Sequence, residues 1–184
     1  APHEVKKVLA LNFDGIYSRR EYKRYYPAGE VAAHVVGFTN IDKHGQEGIE
    51  LSYDEWLSGE SGKKRVLKDR TARVIKDFGP VKIAQPGKDI QLTLDMRIQY
   101  LAYRELKAAV ETHHAKAGSI VVLDIHTGDV LAMANQPSYN PNNRTNINVA
   151  HLRNRAITDV FEPGSTMKLA TISAALESKK YTLN

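Results

Sequence analysis

The chain has 184 residues, 42% hydrophobic and 26% charged, which suits one ordinary domain or two small ones and does not suit a disordered chain. It has no cysteine, so disulfide frameworks, cysteine metal sites and thiol nucleophiles are excluded. A formal charge of +5, spread along the chain with no single basic block, fits a mildly cationic surface, as beside anionic lipid or an anionic polymer, and argues against nucleic acid as a partner.

Residues 1–60 mix short apolar runs with turn signals at Asp14-Gly15, Pro27-Ala28-Gly29, His44-Gly45 and Ser58-Gly59. GIELSYDEWLSGE (48–60) has apolar residues at Ile49, Tyr53, Trp56 and Leu57, the spacing of a helix that Gly59 would end. The acidic residues of this region, Glu47, Glu50, Asp54 and Glu55, lack the frame of a calcium loop and read as its polar face. KKRVLKDRTARVIKDF (63–78) sets two apolar pairs among charges and predicts a polar-faced hairpin. AQPGKD (84–89) is the best candidate domain boundary. IQLTLD (90–95) alternates apolar and polar residues, as a half-buried strand does, and Asp95 can then cap a helix over about 96–113. Its apolar stripe is Ile98, Leu101, Ala102, Leu106, Ala109 and Val110, and His113-His114 suits the negative end of its dipole better than a metal site. SIVVLDI (119–125), nearly all apolar and β-branched, predicts a central, well-buried strand. HTGD (126–129) turns the chain and VLAMAN (130–135) returns as its partner. The Pro- and Asn-rich stretch 137–149 is loop, followed by a short helix near HLRNRAI (151–157). The order of elements is α+β, with helices packed on an antiparallel sheet. No apolar run approaches the roughly 18 residues that cross a bilayer, and no signal peptide opens the chain. The opening APHEVKKVLALNF and the closing ESKKYTLN both suggest a piece of a longer protein.

The stretch FEPGSTMKLATISAALE (161–177) carries the chemistry. Pro163-Gly164 breaks the chain just before an apolar helical pattern, which puts Ser165 in the first turn, where unpaired N–H groups and the helix dipole favour an oxyanion. Lys168, three residues on, lies on the same helix face. A lysine partly desolvated against an apolar wall at a helix N-terminus favours its neutral form and can take the serine proton. The candidate catalytic pair is therefore Ser165 as nucleophile and Lys168 as base, with an acyl-enzyme as product. S-x-x-K alone is a weak signal, and the chain holds a second copy at Ser61–Lys64, which reads as a solvated basic loop. Serine acyl enzymes of this kind add S-x-N and K-[ST]-G elements downstream. Ser138-Tyr139-Asn140 and His126-Thr127-Gly128 approximate them but lie upstream, and loop and turn explain them.

FEPGSTMK (161–168) resembles the active-site stretch of class B penicillin-binding proteins. RYYPAGEVAAHVVGFTNIDKHGQEGIELSYDEWLSG (24–59), KDRTARVIKD (68–77), AGSIVVLDIHTGDVLAMANQPSYNPNN (117–143) and RNRAITDVFEPGSTMK (153–168) extend the resemblance to the division-specific, FtsI-type peptidoglycan transpeptidases, from about residue 14 onward. Two positions depart: Ala72 where such proteins often have Gly, and Met167 where Val is usual. The resemblance implies the C-terminal part of a non-catalytic pedestal of the dimerisation type over residues 1–88, then the first part of a transpeptidase fold over 89–184, with the S-x-N and K-[ST]-G elements beyond Asn184. It implies that Ser165 attacks the D-Ala-D-Ala amide of a peptidoglycan stem peptide with Lys168 as base, and that an amine of a second stem peptide resolves the acyl-enzyme as a cross-link. It further implies β-lactams as covalent inhibitors, no cofactor or metal, divisome membrane proteins including a septal glycosyltransferase as partners, and a place on the periplasmic face of the bacterial inner membrane. Two alternatives stand beside it. A serine β-lactamase or β-lactam sensor would not need residues 1–88, and a non-catalytic interaction module would follow if the pair lacked the other wall of its cleft.

Overall fold

The structure is a computed structural model and describes residues 2–13, 15–18 and 23–182; Asp14 of the first turn signal lies outside them. A helix, α1 (Pro2–Ala10), opens the chain, and residues 29–58 fold into short pieces. These are a 3-10 turn (Gly29–Val31), α2 (Ala33–Val36), the strand pair β1 (Phe38–Thr39) and β2 (Gly45–Glu47), then α3 (Gly48–Ser52) and α4 (Asp54–Ser58). The single helix expected over 48–58 is broken at Tyr53, whose backbone leaves the helical region at φ −122°. Asp54, the next residue, explains the break. Its carboxylate accepts from the Gly45 N–H at 2.8 Å and faces His44 at 3.1 Å, tying the second turn to β2. Gly59, at φ +64°, ends α4 as expected.

The predicted polar hairpin forms from β3 (Lys63–Lys68) and β4 (Val74–Lys82). Its turn is held by Asp69, which accepts from the Thr71 and Arg73 N–H groups, and Ala72 sits in the left-handed region at φ +62°. The break at 84–89 is not slack. Glu60 and Gln85 exchange backbone hydrogen bonds of 2.8 and 2.9 Å, and a Cβ on Gly87 would lie 1.9 Å from the Leu57 carbonyl oxygen. Only glycine lets these two backbones touch.

Residues 90–95 alternate in burial as predicted but form no ladder; Asp95 N–H to the Leu131 carbonyl at 2.9 Å is their backbone bond to the neighbouring hairpin. Asp95 caps α5 (Met96–Thr112) by accepting from the Arg97 and Ile98 N–H groups. The Arg97 guanidinium beside it, with these amides, holds its carboxyl far below the usual carboxylate range. Helix α5 lies on the hairpin of β5 (Gly118–Leu123) and β6 (Val130–Gln136), with Ala102, Leu106, Ala132 and Ala134 buried and Ile98, Val110, Ile120 and Val122 packed around them. Leu101 and Ala109, expected in the stripe, are exposed, and fully buried Gln99 takes a place on the inner face instead. Strand β5 is not the central buried strand its composition predicts. It pairs only with β6 among the described residues, and Val121, Leu123 and Ile125 face solvent.

A second core joins the first part of the chain to the loop after β6. Tyr26, Ala33, Phe38 and Tyr139 are buried together, flanked by Val36, Ile147 and Leu152. Tyr139 meets His34 and Phe38 edge-on at 5.3 and 5.9 Å, within the favoured range of such pairs. The acidic stretch is not merely a polar face: Glu50 is buried and meets the Arg24 guanidinium at 3.0 Å. Among the described residues no helix is long and apolar enough to cross a membrane, and no three His, Asp or Glu side chains gather as a metal site.

Candidate active site

Residues 154–160 lead into the site and are firmly held. Asn135, buried in β6, accepts from the Ala156 N–H at 2.8 Å and the Ser119 hydroxyl at 2.7 Å, and donates to the Asn154 side chain at 2.9 Å. Within α6 (Arg155–Thr158) and just past it, Asp159 takes hydrogen bonds from Arg155 at 2.8 Å and Arg153 at 2.5 Å, which hold its carboxyl below the ordinary value. Beyond this clamp the chain runs exposed through Val160 and Phe161 to Pro163.

Gly164, at φ +53°, turns the chain into a 3-10 turn (Gly164–Thr166) that runs directly into α7 (Met167–Glu177). The Thr166 N–H and hydroxyl both return to the Pro163 carbonyl, and the Met167 N–H reaches back to the Gly164 and Ser165 carbonyls. Ser165 therefore stands on the turn that starts α7, and Lys168 one turn on, at its second residue, as the sequence predicts. The expected apolar wall is missing. Ser165, Lys168 and their neighbours Met167, Leu169 and Ile172 are exposed, and neither member of the pair makes a side-chain hydrogen bond or ion pair among the described residues. The sequence brings Ser165 and Lys168 to one helix turn, and among the described residues no other side chain bonds to either. Both side chains lie open to solvent, whereas an acylating serine works in an enclosed site that stabilises an oxyanion.

The look-alike motifs have structural duties. The Ser138 hydroxyl donates to the Glu30 carbonyl at 2.9 Å, the Tyr139 hydroxyl donates to the Ala33 carbonyl at 2.9 Å, and Asn140 accepts from the Asn142 N–H at 2.9 Å. His126 and Thr127 donate their N–H groups to Asp124 in the β5–β6 turn. Lys64 of the other S-x-x-K copy pairs with Asp77 at 2.9 Å on the β3–β4 hairpin.

The residue that sequence reasoning missed is Gln99. Its amide donates to the Val31 carbonyl at 2.6 Å and the Met133 carbonyl at 3.0 Å, and its oxygen accepts from the Met133 N–H at 2.8 Å. Beside it the Tyr103 hydroxyl donates to Glu30 at 2.6 Å, and burial first, then Glu30, pushes that phenol up to about 12. These contacts fix β6, and so the segment entering the site, against residues 30–31. A glutamine inside an apolar period is the one signal that could have found it.

Comparison with known proteins agrees with this architecture. The family described as Penicillin-binding Protein dimerisation domain matches residues 3–92, and the Penicillin binding protein transpeptidase domain matches residues 118–184. The chain is 49% identical over 176 residues to the peptidoglycan D,D-transpeptidase FtsI of Escherichia coli K12, covering 96% of this chain and 30% of that protein. It is 49% identical over 185 residues to the probable peptidoglycan D,D-transpeptidase PenA of Neisseria gonorrhoeae, covering 100% of this chain and 32% of that protein. Among solved structures, apo penicillin binding protein 3 of Mycobacterium tuberculosis superposes with a TM-score of 0.74 at 36% identity, over 89% of this chain and 34% of that one. The chain thus spans about a third of the length of these relatives.

Proposed function

The chain belongs to the penicillin-binding proteins that join a dimerisation domain to a transpeptidase domain, and from that membership we propose that it is a segment of a peptidoglycan D,D-transpeptidase acting through Ser165. Residues 1–88 belong to the pedestal and residues 89–184 begin the catalytic domain. Ser165 Oγ adds to the carbonyl carbon of the penultimate D-Ala while Lys168 Nζ takes its proton. The C–N bond then breaks, the proton passes to the departing D-Ala, and a serine ester remains. The amine of a second stem peptide attacks that ester, the serine regains its proton, and a cross-link results. β-Lactams acylate the same oxygen. The protein works on the periplasmic face of the inner membrane, with divisome membrane proteins, among them a septal glycosyltransferase, as partners.

The observation that carries this reading is the spacing of Ser165 and Lys168 on the turn that follows left-handed Gly164, inside the stretch that matches the transpeptidase domain. Intact-mass spectrometry with benzylpenicillin tests it. A protein joining these residues to the rest of a transpeptidase domain, as the relatives do, is expected to gain one penicillin on Ser165. Ser165→Ala abolishes the adduct, and Lys168→Gln slows it on the order of 100-fold or more, the usual weight of a general base. The 184-residue chain alone acylates slowly or not at all, because its pair is exposed and lacks facing oxyanion donors. An adduct that persists in Ser165→Ala refutes the assignment, and rapid hydrolysis of the adduct instead marks a β-lactamase.

A further inference from the structure

Lysines and arginines occur along the whole chain, but their excess over acidic residues lies in one element. Residues 63–82, the β3–β4 hairpin and its turn, hold eight of the 26 lysines and arginines and two of the 21 acids; the 18 cations elsewhere face 19 acids. The positive charge of the molecule therefore sits on one element. Lys64 is neutralised by Asp77 at 2.9 Å and Lys82 by Glu60 at 2.6 Å. Lys63, Arg65, Lys68, Arg70, Arg73 and Lys76 have no ion-pair partner among the described residues. Lys63 even stands opposite Lys82 across the ladder, where like charges weaken a hairpin.

The same element exposes apolar side chains between its charges: Leu67, Val74, Ile75, Phe78, Val81 and Ile83, with Ile75 64% and Phe78 55% accessible. The Lys76 ammonium lies 5.2 Å from the centre of the Phe78 ring, so cation and apolar surface meet within one patch. Both faces of the hairpin are exposed to solvent. An exposed ribbon of unneutralised cations and apolar side chains is complementary to a surface that offers anions above a layer of low polarity. The contact of the Lys76 ammonium with the Phe78 ring favours such a surface over an acidic partner held by charge alone.

We propose that residues 63–83 dock on anionic phospholipid, the lysines and arginines meeting headgroup phosphates while Ile75 and Phe78 enter the interfacial layer. This stands independently of Ser165 and its chemistry. The test is co-sedimentation of the 184-residue chain with vesicles of phosphatidylglycerol and phosphatidylcholine in equal parts, against vesicles of phosphatidylcholine alone. The chain is expected to bind only the anionic vesicles, and less at 500 mM than at 50 mM salt. Each cation near such a surface contributes about fivefold in affinity, so K63Q/R65Q/K68Q/R70Q should weaken binding by about 600-fold. These side chains are exposed, so an unchanged unfolding midpoint shows that the variant is folded. In W56F/F78W the single tryptophan should shift its emission to the blue on binding. Equal binding to both vesicles, or full binding by the quadruple variant, overturns the proposal. So does an unshifted tryptophan, which would assign the patch to an acidic protein or polymer held by charge alone.

Discussion

Gln99→Leu is the substitution that best tests how this fold is held. Leucine nearly matches glutamine in length and volume, so the change removes chemistry and not packing. It strips partners from three main-chain groups at once: the Val31 carbonyl, the Met133 carbonyl and the Met133 N–H. Gln99 is fully buried, so water does not take over without opening the structure. Leaving a buried polar group unpaired costs about 1–3 kcal/mol, or about 3–9 kcal/mol for three. Against this, a buried leucine returns about 2 kcal/mol of apolar transfer, and relaxation recovers part of the rest. The net expectation is a loss of about 2–5 kcal/mol, a large share of the 5–15 kcal/mol that holds an ordinary domain together. With a urea slope of about 2 kcal/mol/M, the midpoint falls by about 1–2.5 M. Urea unfolding followed by circular dichroism measures it, with exposed Gln91→Leu as a control expected within about 0.5 kcal/mol of the parent. A Gln99→Leu midpoint equal to the control's would refute the reasoning, since the three bonds would then contribute nothing net.

Other expectations follow from single residues. Ala72→Gly relieves a left-handed alanine and should raise stability by about 0.5–1 kcal/mol in the same urea assay; a lower midpoint would show that the turn does not carry that strain. Gly87→Ala drives a Cβ into the Leu57 carbonyl and should cost about 1–3 kcal/mol, with faster hydrogen exchange at the Glu60 and Gln85 amides; unchanged protection there would contradict the close approach. His34 is buried with its Nε2–H donated to the His151 carbonyl at 2.8 Å, and burial, opposed by that bond, lowers its pKa below the usual 6.5. The unfolded chain then takes up this proton before the folded one, so the contribution of His34 is complete above about pH 6.5 and is lost as pH falls below it. Urea midpoints at pH 7.5, 6.5 and 5.5 should drop, and His34→Gln should flatten the decline; an equal slope in the variant would assign the pH dependence to other groups.

Signals that act within a few residues were readable from the sequence. Asp95 capping α5, Gly59 ending α4, the turn between β5 and β6, and the two apolar pairs set among charges that mark β3 and β4 all act over a few residues. Features that depend on what covers a face were not. The β-branched run of β5 reads as central, but burial depends on flanking elements, and here the strand has one neighbour among the described residues. Gln99 and Glu50 read as polar surface because their partners, Val31 and Met133 for one and Arg24 for the other, lie 26 to 68 residues away. Ser165 and Lys168 are legible as a motif for the opposite reason: three residues of helix bring them together whatever surrounds them. What the motif could not convey was the setting, and the pair turns out exposed.

The core built on Tyr26, Ala33, Phe38 and Tyr139 also sets a timetable for synthesis. Residues 24–40 find their partners at Tyr139, Asn142, Arg144 and Asn154, from 105 to 120 positions later in the chain. At about 5–20 residues per second, roughly 5–20 s separate the appearance of the two halves of that core. Throughout that interval Tyr26, Ala33 and Phe38 lack Tyr139, Ile147 and Leu152 to complete their core, while the β3–β4 hairpin, whose strands are five residues apart, can close at once. Residues 24–40 are thus made well before they can be finished, and any factor that shields nascent apolar surface has a long task there.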